Sequence, residues 1–344
     1  MSFRRWLNVG TAIIVVAMLF FSRHELVNAW NLLGKVNLYI LALIIPAQLL
    51  SYYSAGAMMF SYLKKRGDLE KTPNFEAPRM ALELNFVNHI LPSGGVSGVS
   101  YMTWRLSKLG VPSGRAALAQ VVRYTASFFA YLILLILAVL LITIDGNIQR
   151  FTILISSAIA STIIFATLFI MYVVGSESRM ESFSRAFNSW IAVVWHGWLR
   201  RKTPIVKPKK VKEFFSELHH DYTALRRDPA VLKRAIMWAF VFNIAEVAMF
   251  FLTFLSFGVV VNPASILIAL GIGSIIGMFL VTPGGAGGYE AVMILFLASA
   301  GVPQGTAVAG VLLARTVLIV LTIASGYYFY HKALAQYGKH PDQR

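Results

Sequence analysis

A proline and four glycines interrupt a long apolar region of this chain. They lie in Thr282-Pro283-Gly284-Gly285-Ala286-Gly287-Gly288-Tyr289-Glu290, which also carries one carboxylate. Proline removes a backbone donor and glycine loosens the chain, and unsatisfied backbone groups are most costly within lipid. The run therefore predicts two half-helices joined by a turn. Free N–H groups at the start of the second half-helix favour an anionic ligand, so the candidate binding residues include Pro283, Gly284, Gly285 and Gly287.

The same interruption occurs 191 residues earlier, in Leu91-Pro92-Ser93-Gly94-Gly95-Val96-Ser97-Gly98. At this offset Pro92 matches Pro283, and the run 110–112 matches the run 301–303, both reading Gly-Val-Pro. The chain is therefore interpreted as a degenerate duplication. The turn residues Pro92, Gly94 and Gly95 join the candidate binding residues.

Composition excludes a soluble globular protein, because 57% of the residues are hydrophobic and only 13% are charged. We predict an all-α polytopic membrane protein. Most of its long apolar segments reach the roughly 20 residues that cross a bilayer. About six spans are expected, at residues 8–22, 36–62, 115–144, 150–174, 234–258 and 305–330, with two broken hairpins at 80–109 and 263–301.

The placement of basic residues predicts the orientation, since Lys and Arg accumulate on the cytoplasmic side. With the N-terminus inside, 26 of the 31 Lys and Arg residues fall on the cytoplasmic side, Arg79 and Arg105 among them. Both termini are then cytoplasmic. The net charge of +16 is explained by this bias and does not indicate a nucleic-acid partner.

With this orientation the two hairpins enter from opposite faces, so the two copies form an inverted repeat, as in secondary transporters. The predicted organisation is a first repeat with span four (1–174), a basic segment (175–233) and a second repeat (234–344). The basic segment combines Trp190, Trp195 and Trp198 with many Lys and Arg residues. Either an interfacial helix on anionic lipid or an ordinary basic loop explains it.

Two arginines lie within predicted spans. Arg123 is about ten residues into the third span and Arg315 about as far into the sixth, so each is about 15 Å deep at 1.5 Å per residue. A guanidinium is well suited to phosphate. Both arginines are candidate substrate-binding residues, and the alternative is that each only locks its helix to a carboxylate.

Three acids at membrane depth are candidate coupling residues. Glu290 begins the second arm of the later hairpin and is also a substrate-site candidate, because it can pair with Arg315 and release it when substrate arrives. Glu246 lies in the fifth span and Glu83 in the first arm of the earlier hairpin. For each acid, a purely structural pairing is an equal alternative.

Other chemistries find no support in the sequence. There is no Cys, no G-x-G-x-x-G or Walker pattern, and no zinc spacing among the seven His residues. We therefore expect no catalytic residue, no metal and no cofactor.

The motif P-G-G-x-G-x-x-E, spanning Pro283 to Glu290 and followed by Gly-Val-Pro and Arg315, resembles the membrane region of bacterial lysylphosphatidylglycerol synthases, the multiple peptide resistance factor group. The run Asn88 to Gly95, with Arg123 downstream, is similar as well. The likeness covers roughly 10 to 330. In that family the membrane region is thought to flip a lipid, while a separate C-terminal domain transfers the aminoacyl group. The resemblance implies a stand-alone flippase without the synthase domain, in a bacterial-type inner membrane.

The leading hypothesis is therefore a non-enzymatic flippase that moves a phospholipid or a polyprenyl phosphate by alternating access. Its partners would be membrane lipids with an anionic head group. One alternative is a proton-coupled transporter of a small solute, with Glu290 or Glu246 as proton carrier. The other is an accessory subunit that recruits a cytoplasmic glycosyl- or aminoacyltransferase. Lipid identity, energy source and oligomeric state stay open at this point.

Overall fold

A computed structural model describes most of the two predicted repeats. The described residues are 34, 36–90, 96–144, 150–176, 178–183, 222–223, 228–280, 282 and 285–337. The first predicted span and most of the basic segment lie outside these ranges. So do five of the predicted turn residues, Pro92, Gly94, Gly95, Pro283 and Gly284.

The regular structure of the described ranges is helical, with no strand in them. The helices with defined bounds are α1 (Leu38–Ala42), α2 (Ile44–Lys65), α3 (Glu76–Ile90), α4 (Val96–Ser107), α5 (Ser113–Ile144), α6 (Arg150–Val174), α7 (Leu232–Ser256), α8 (Pro263–Phe279), α9 (Gly288–Ser299) and α10 (Gln304–Tyr337).

Four helical stretches in these ranges are long and apolar enough to cross a membrane, namely Leu38–Lys65, Ser113–Thr143, Pro229–Ser256 and Gln304–Tyr337. They correspond to the second, third, fifth and sixth predicted spans. The fourth is the helix α6, which contains a shorter apolar stretch at Ile153–Phe169. The prediction of an all-α membrane protein is confirmed.

Each predicted hairpin consists of two short helices, α3 with α4 and α8 with α9. Their arms are 15, 12, 17 and 12 residues long, below the roughly 20 needed to span a bilayer. The first hairpin starts at Glu76, four residues before the predicted start. The hydropathy-based prediction omitted the first helical turn of α3 because Glu76 and Arg79 are charged. In the fold these two side chains form an ion pair of 2.9 Å.

The helix bounds repeat at the offset found in the sequence. Leu38–Lys65 and Pro229–Ser256 are 191 residues apart at both ends, and α5 and α10 also begin 191 residues apart. The loops repeat too, since left-handed glycines occur as the equivalent pairs Gly67 with Gly258 and Gly110 with Gly301. The two copies therefore share helix positions as well as residues.

The equivalent helices α2 and α7 pack together in opposite directions. Asn37, just before α1, donates its N–H to the carbonyl of Ser256 at the end of α7 (2.8 Å). Further along, the rings of Tyr53 and Trp238 are 5.1 Å apart. Because equivalent helices run antiparallel, the two copies are inverted, and their hairpins enter from opposite ends of the α2–α7 pair. The boundaries 1–174, 175–233 and 234–344 stay a prediction.

The hairpins pack across the repeats in a reciprocal way. The first arm of the earlier hairpin, α3, lies on α10, and the first arm of the later hairpin, α8, lies on α5. One apolar core surrounds the earlier hairpin and a second surrounds the later one. Where the two cores meet, the middles of the long helices carry a polar layer, which comprises Gln48, Ser51, Asn243, Glu246, Arg315 and Thr322.

The antiparallel pairing predicts a specific cross-link. Because the chain has no Cys, the pair Tyr53→Cys and Trp238→Cys is expected to react with a short thiol–thiol cross-linker in membranes. The cross-link is detected by gel electrophoresis of a chain cleaved between the two positions, because linked fragments migrate together. The control pair is Tyr53→Cys with Thr253→Cys, which should not react, because Thr253 lies about 22 Å from Trp238 along α7 at 1.5 Å per residue.

Candidate functional site

The later hairpin presents an ion pair to the polar layer. Glu290 lies in the first turn of α9, and its Oε2 accepts the N–H of Gly287 at 2.7 Å, which caps the helix. Its Oε1 accepts from Nε of Arg315 in α10, also at 2.7 Å. Both side chains are largely buried. The carboxylate thus stabilises a helix start and a guanidinium at once.

The turn between α8 and α9 requires glycine. Gly285 has a φ of 71°, and a Cβ at this position would lie 2.9 Å from Cα of Gly277 in α8. The turn is therefore pressed against the first arm, which a larger residue would prevent. This close packing also places the Tyr289 ring 4.3 Å from the Arg315 guanidinium. Arg315 consequently contacts both a carboxylate and an aromatic face.

The earlier hairpin caps its second arm with a neutral side chain. Oδ1 of Asn88 accepts the N–H of Gly98, near the start of α4, at 3.0 Å. The next residue, His89, lies close enough to Arg315 and Glu290 for its charge to interact with theirs. The two hairpins thus bring polar groups to the same region from opposite ends of the fold.

Glu246 has a different environment from the other acids. Oγ of Ser51 in α2 donates to its Oε1 at 2.6 Å. Arg315 is near enough for an electrostatic interaction, but no basic group in the described ranges lies within 4 Å of this carboxyl. Beside it, Gln48 donates to Tyr52 and to the Leu318 carbonyl, which joins α2 to α10.

Arg123 is buried without a carboxylate partner. Only 8% of the residue is exposed, and its guanidinium lies 4.5 Å from the ring of Tyr124. Among the described residues no acid lies within 4 Å of it, and its buried Nε has no hydrogen-bond partner. Tyr124, rather than Arg123, stands 191 residues before Arg315. One residue of shift turns a side chain by about 100° on a helix, so the two arginines do not occupy equivalent positions in the two repeats.

Glu83 belongs to a separate, charge-balanced network between α3 and α4. It contacts Nε of Arg79 at 3.0 Å and Nε of Arg105 at 3.3 Å, and it accepts from the Tyr101 hydroxyl at 2.9 Å. Glu76 pairs with the same two arginines. Two acids and two bases therefore neutralise one another. The ring of Tyr337, at the end of α10, covers Arg105 at 4.4 Å.

The structure thus separates the predicted site residues into groups. It brings Arg315, Glu290 and Glu246 together, whereas Glu83 lies in its own network and no contact among the described residues joins Arg123 to the other three. Sequence reasoning counted Arg79 and Arg105 only as cytoplasmic charges, yet both are buried. It also missed Ser51 and Tyr289. For Ser51 the reason is that a hydroxyl 195 residues from its partner leaves no local pattern. No cluster of three or more metal-ligating side chains occurs within the described ranges.

The network around Glu83 should be essential to the stability of the first hairpin. Arg105→Ala would leave a buried carboxylate partly uncompensated, which typically costs about 3–5 kcal/mol. We expect a clear fall in the melting temperature of the purified protein in detergent, and a smaller fall for Arg105→Ala combined with Glu83→Gln. Equal melting temperatures for the native and Arg105→Ala proteins would show that the network contributes no stability.

Two comparisons place the chain among known proteins. The family described as lysylphosphatidylglycerol synthase TM region matches residues 7–326. A UPF0104 membrane protein from the archaeon Methanothermobacter thermautotrophicus is 23% identical over 241 residues, which is 70% of each chain.

Proposed function

The chain belongs to the lysylphosphatidylglycerol synthase TM-region family, and we propose that it moves a lipid with a phosphate head group between the leaflets of a membrane. The lipid is a phospholipid or a polyprenyl phosphate. Its head group passes through the polar layer while its acyl chains stay in the bilayer. The membrane is a bacterial-type cytoplasmic membrane with both chain termini inside, as the distribution of basic residues favours.

The observation that carries this proposal is the unpaired guanidinium of Arg123. A basic side chain near the bilayer centre costs about 2.5–3.5 kcal/mol on insertion scales, and in most proteins a carboxylate offsets this cost. Here no acid within the described residues does so. The anion that fits the forked donors of a guanidinium best, besides a carboxylate, is a phosphate.

Arg315 supplies a second phosphate contact by exchanging partners. When a head group arrives, the guanidinium turns from Glu290 to the phosphate. Glu290 keeps the N–H of Gly287, so its charge stays partly compensated and α9 stays capped. When Arg315 exchanges one anionic partner for another, the cost in free energy is smaller than the cost of leaving its guanidinium unpaired in the membrane interior.

The inverted arrangement of the hairpins supports alternating access. One hairpin lies in each apolar core, and each packs its first arm on the last helix of the other repeat. Separation of α3 from α10 would open one end of the molecule, and separation of α8 from α5 would open the other. Two equivalent movements around a fixed central site are typical of inverted-repeat transporters.

Arg123→Ala is expected to abolish lipid translocation while leaving expression and folding intact, because the head group loses its unpaired counter-ion. The assay follows labelled phosphatidylglycerol and labelled polyprenyl phosphate in proteoliposomes. Lys108→Ala removes one positive charge from an exposed position and serves as the control. Normal translocation by Arg123→Ala would exclude Arg123 from the pathway.

A second pair of variants separates binding from helix locking at Arg315. Arg315→Ala should abolish translocation and also lower stability, because Glu290 loses its partner. The double variant Arg315→Ala with Glu290→Gln should regain stability but remain inactive. If instead the double variant translocates lipid at the native rate, Arg315 only fastens α10 to the hairpin.

A further inference from the structure

The three candidate coupling acids differ in how fully their charge is balanced. Glu83 contacts two arginines and a tyrosine hydroxyl, and Glu290 contacts one arginine and a backbone N–H. Glu246 has the Ser51 hydroxyl as its single hydrogen-bond partner among the described residues. A carboxylate within a membrane is costly without a base beside it. Of the three, Glu246 is the one whose charge can change without breaking an ion pair.

The titratable and charged groups around Glu246 come from five helices. Tyr52 is on α2, beside Ser51, and Arg315 is on α10. Tyr289 is on α9, next to Glu290, and both interact with Arg315. The charged side chains of α5 are Arg115 and Arg123, and its tyrosines are Tyr124 and Tyr131, whereas the sequence of α8 contains no titratable residue. His89, on α3, faces Arg315 and Glu290.

The charged groups that the proposed lipid path brings together balance when no lipid is bound. Arg123 and Arg315 contribute two positive charges, and Glu246 and Glu290 contribute two negative ones. A bound phosphodiester adds one negative charge, so neutrality then requires one proton. Glu290 is paired with Arg315 and the Gly287 N–H until the exchange occurs, and it keeps the N–H afterwards. Among the described residues Glu246 has no such pairing, and it accepts the proton with the least rearrangement.

We propose that Glu246 takes up one proton each time the site binds a lipid phosphate, so that lipid and proton cross the membrane together. This inference rests on the lipid translocation proposed above. The proton comes from water on the side where the head group enters, and it forms the O–H bond of the neutral carboxyl group. On the opposite side that bond breaks, the proton returns to water, and the phosphate leaves. A pH gradient thereby drives the lipid from the acidic to the alkaline side.

The test measures both fluxes in the same proteoliposomes. Labelled phosphatidylglycerol is supplied to the outer leaflet, and a trapped pH-sensitive dye reports the lumen. The unmodified protein should acidify the lumen by one proton per lipid moved, and an acidic exterior should accelerate inward movement. Glu246→Gln, which mimics the neutral form, should lose both the acidification and the response to the gradient. Glu246→Asp keeps a titratable group and should retain both.

Glu70→Gln provides the matched control, since it makes the same chemical change at an exposed loop position and should behave as the native protein. Lipid movement without acidification in the native protein would overturn the proton inference and leave the proposed function standing. Native coupling in Glu246→Gln would also overturn it. Absence of lipid movement in the native protein would overturn the proposed function, and this inference with it.

Discussion

The antiparallel contact between α2 and α7 joins the two repeats and determines where the other helices can pack. In lipid there is little hydrophobic force between helices, so close packing of small side chains has to hold them together. The buried faces of both helices are rich in such residues, including Ser51, Ala55, Ala235 and Ala239. Because the pair is antiparallel, each following hairpin starts at a different end, and the polar layer falls between two apolar cores.

Buried charge serves two purposes in this fold. In the first hairpin, four charged side chains neutralise one another between α3 and α4, which stabilises short helices that bury too little surface to be stable alone. Elsewhere the buried charges are not all paired. Among the described residues Arg123 has no acid within 4 Å and Glu246 has no base, so both can interact with a charged ligand that binds and leaves. The unbalanced groups, rather than the balanced ones, support the proposal of lipid translocation.

Divergence between the two copies gives the site its asymmetry. Both hairpins must cap the start of their second arm, since free N–H groups within a membrane are costly. The first hairpin uses the neutral Asn88, and the second uses Glu290, a charged side chain that also holds Arg315. The arginines themselves are one residue out of register. A duplicated scaffold therefore carries a site whose ionic part is formed mostly by the second repeat.

The class of the protein, its helices, both hairpins and the duplication can be recognised in the amino-acid sequence. These features follow from hydropathy, Pro and Gly positions and residue spacing, which act over short distances along the chain. The sequence also indicates that Glu290 and Arg315 are neighbours in one repeat. The charge partners of the other ionisable groups are known only from the folded structure. Glu246 meets Ser51, Arg105 meets Glu83, and Arg123 meets no acid in the described ranges, because such contacts depend on how distant helices pack and rotate, and no local pattern encodes that.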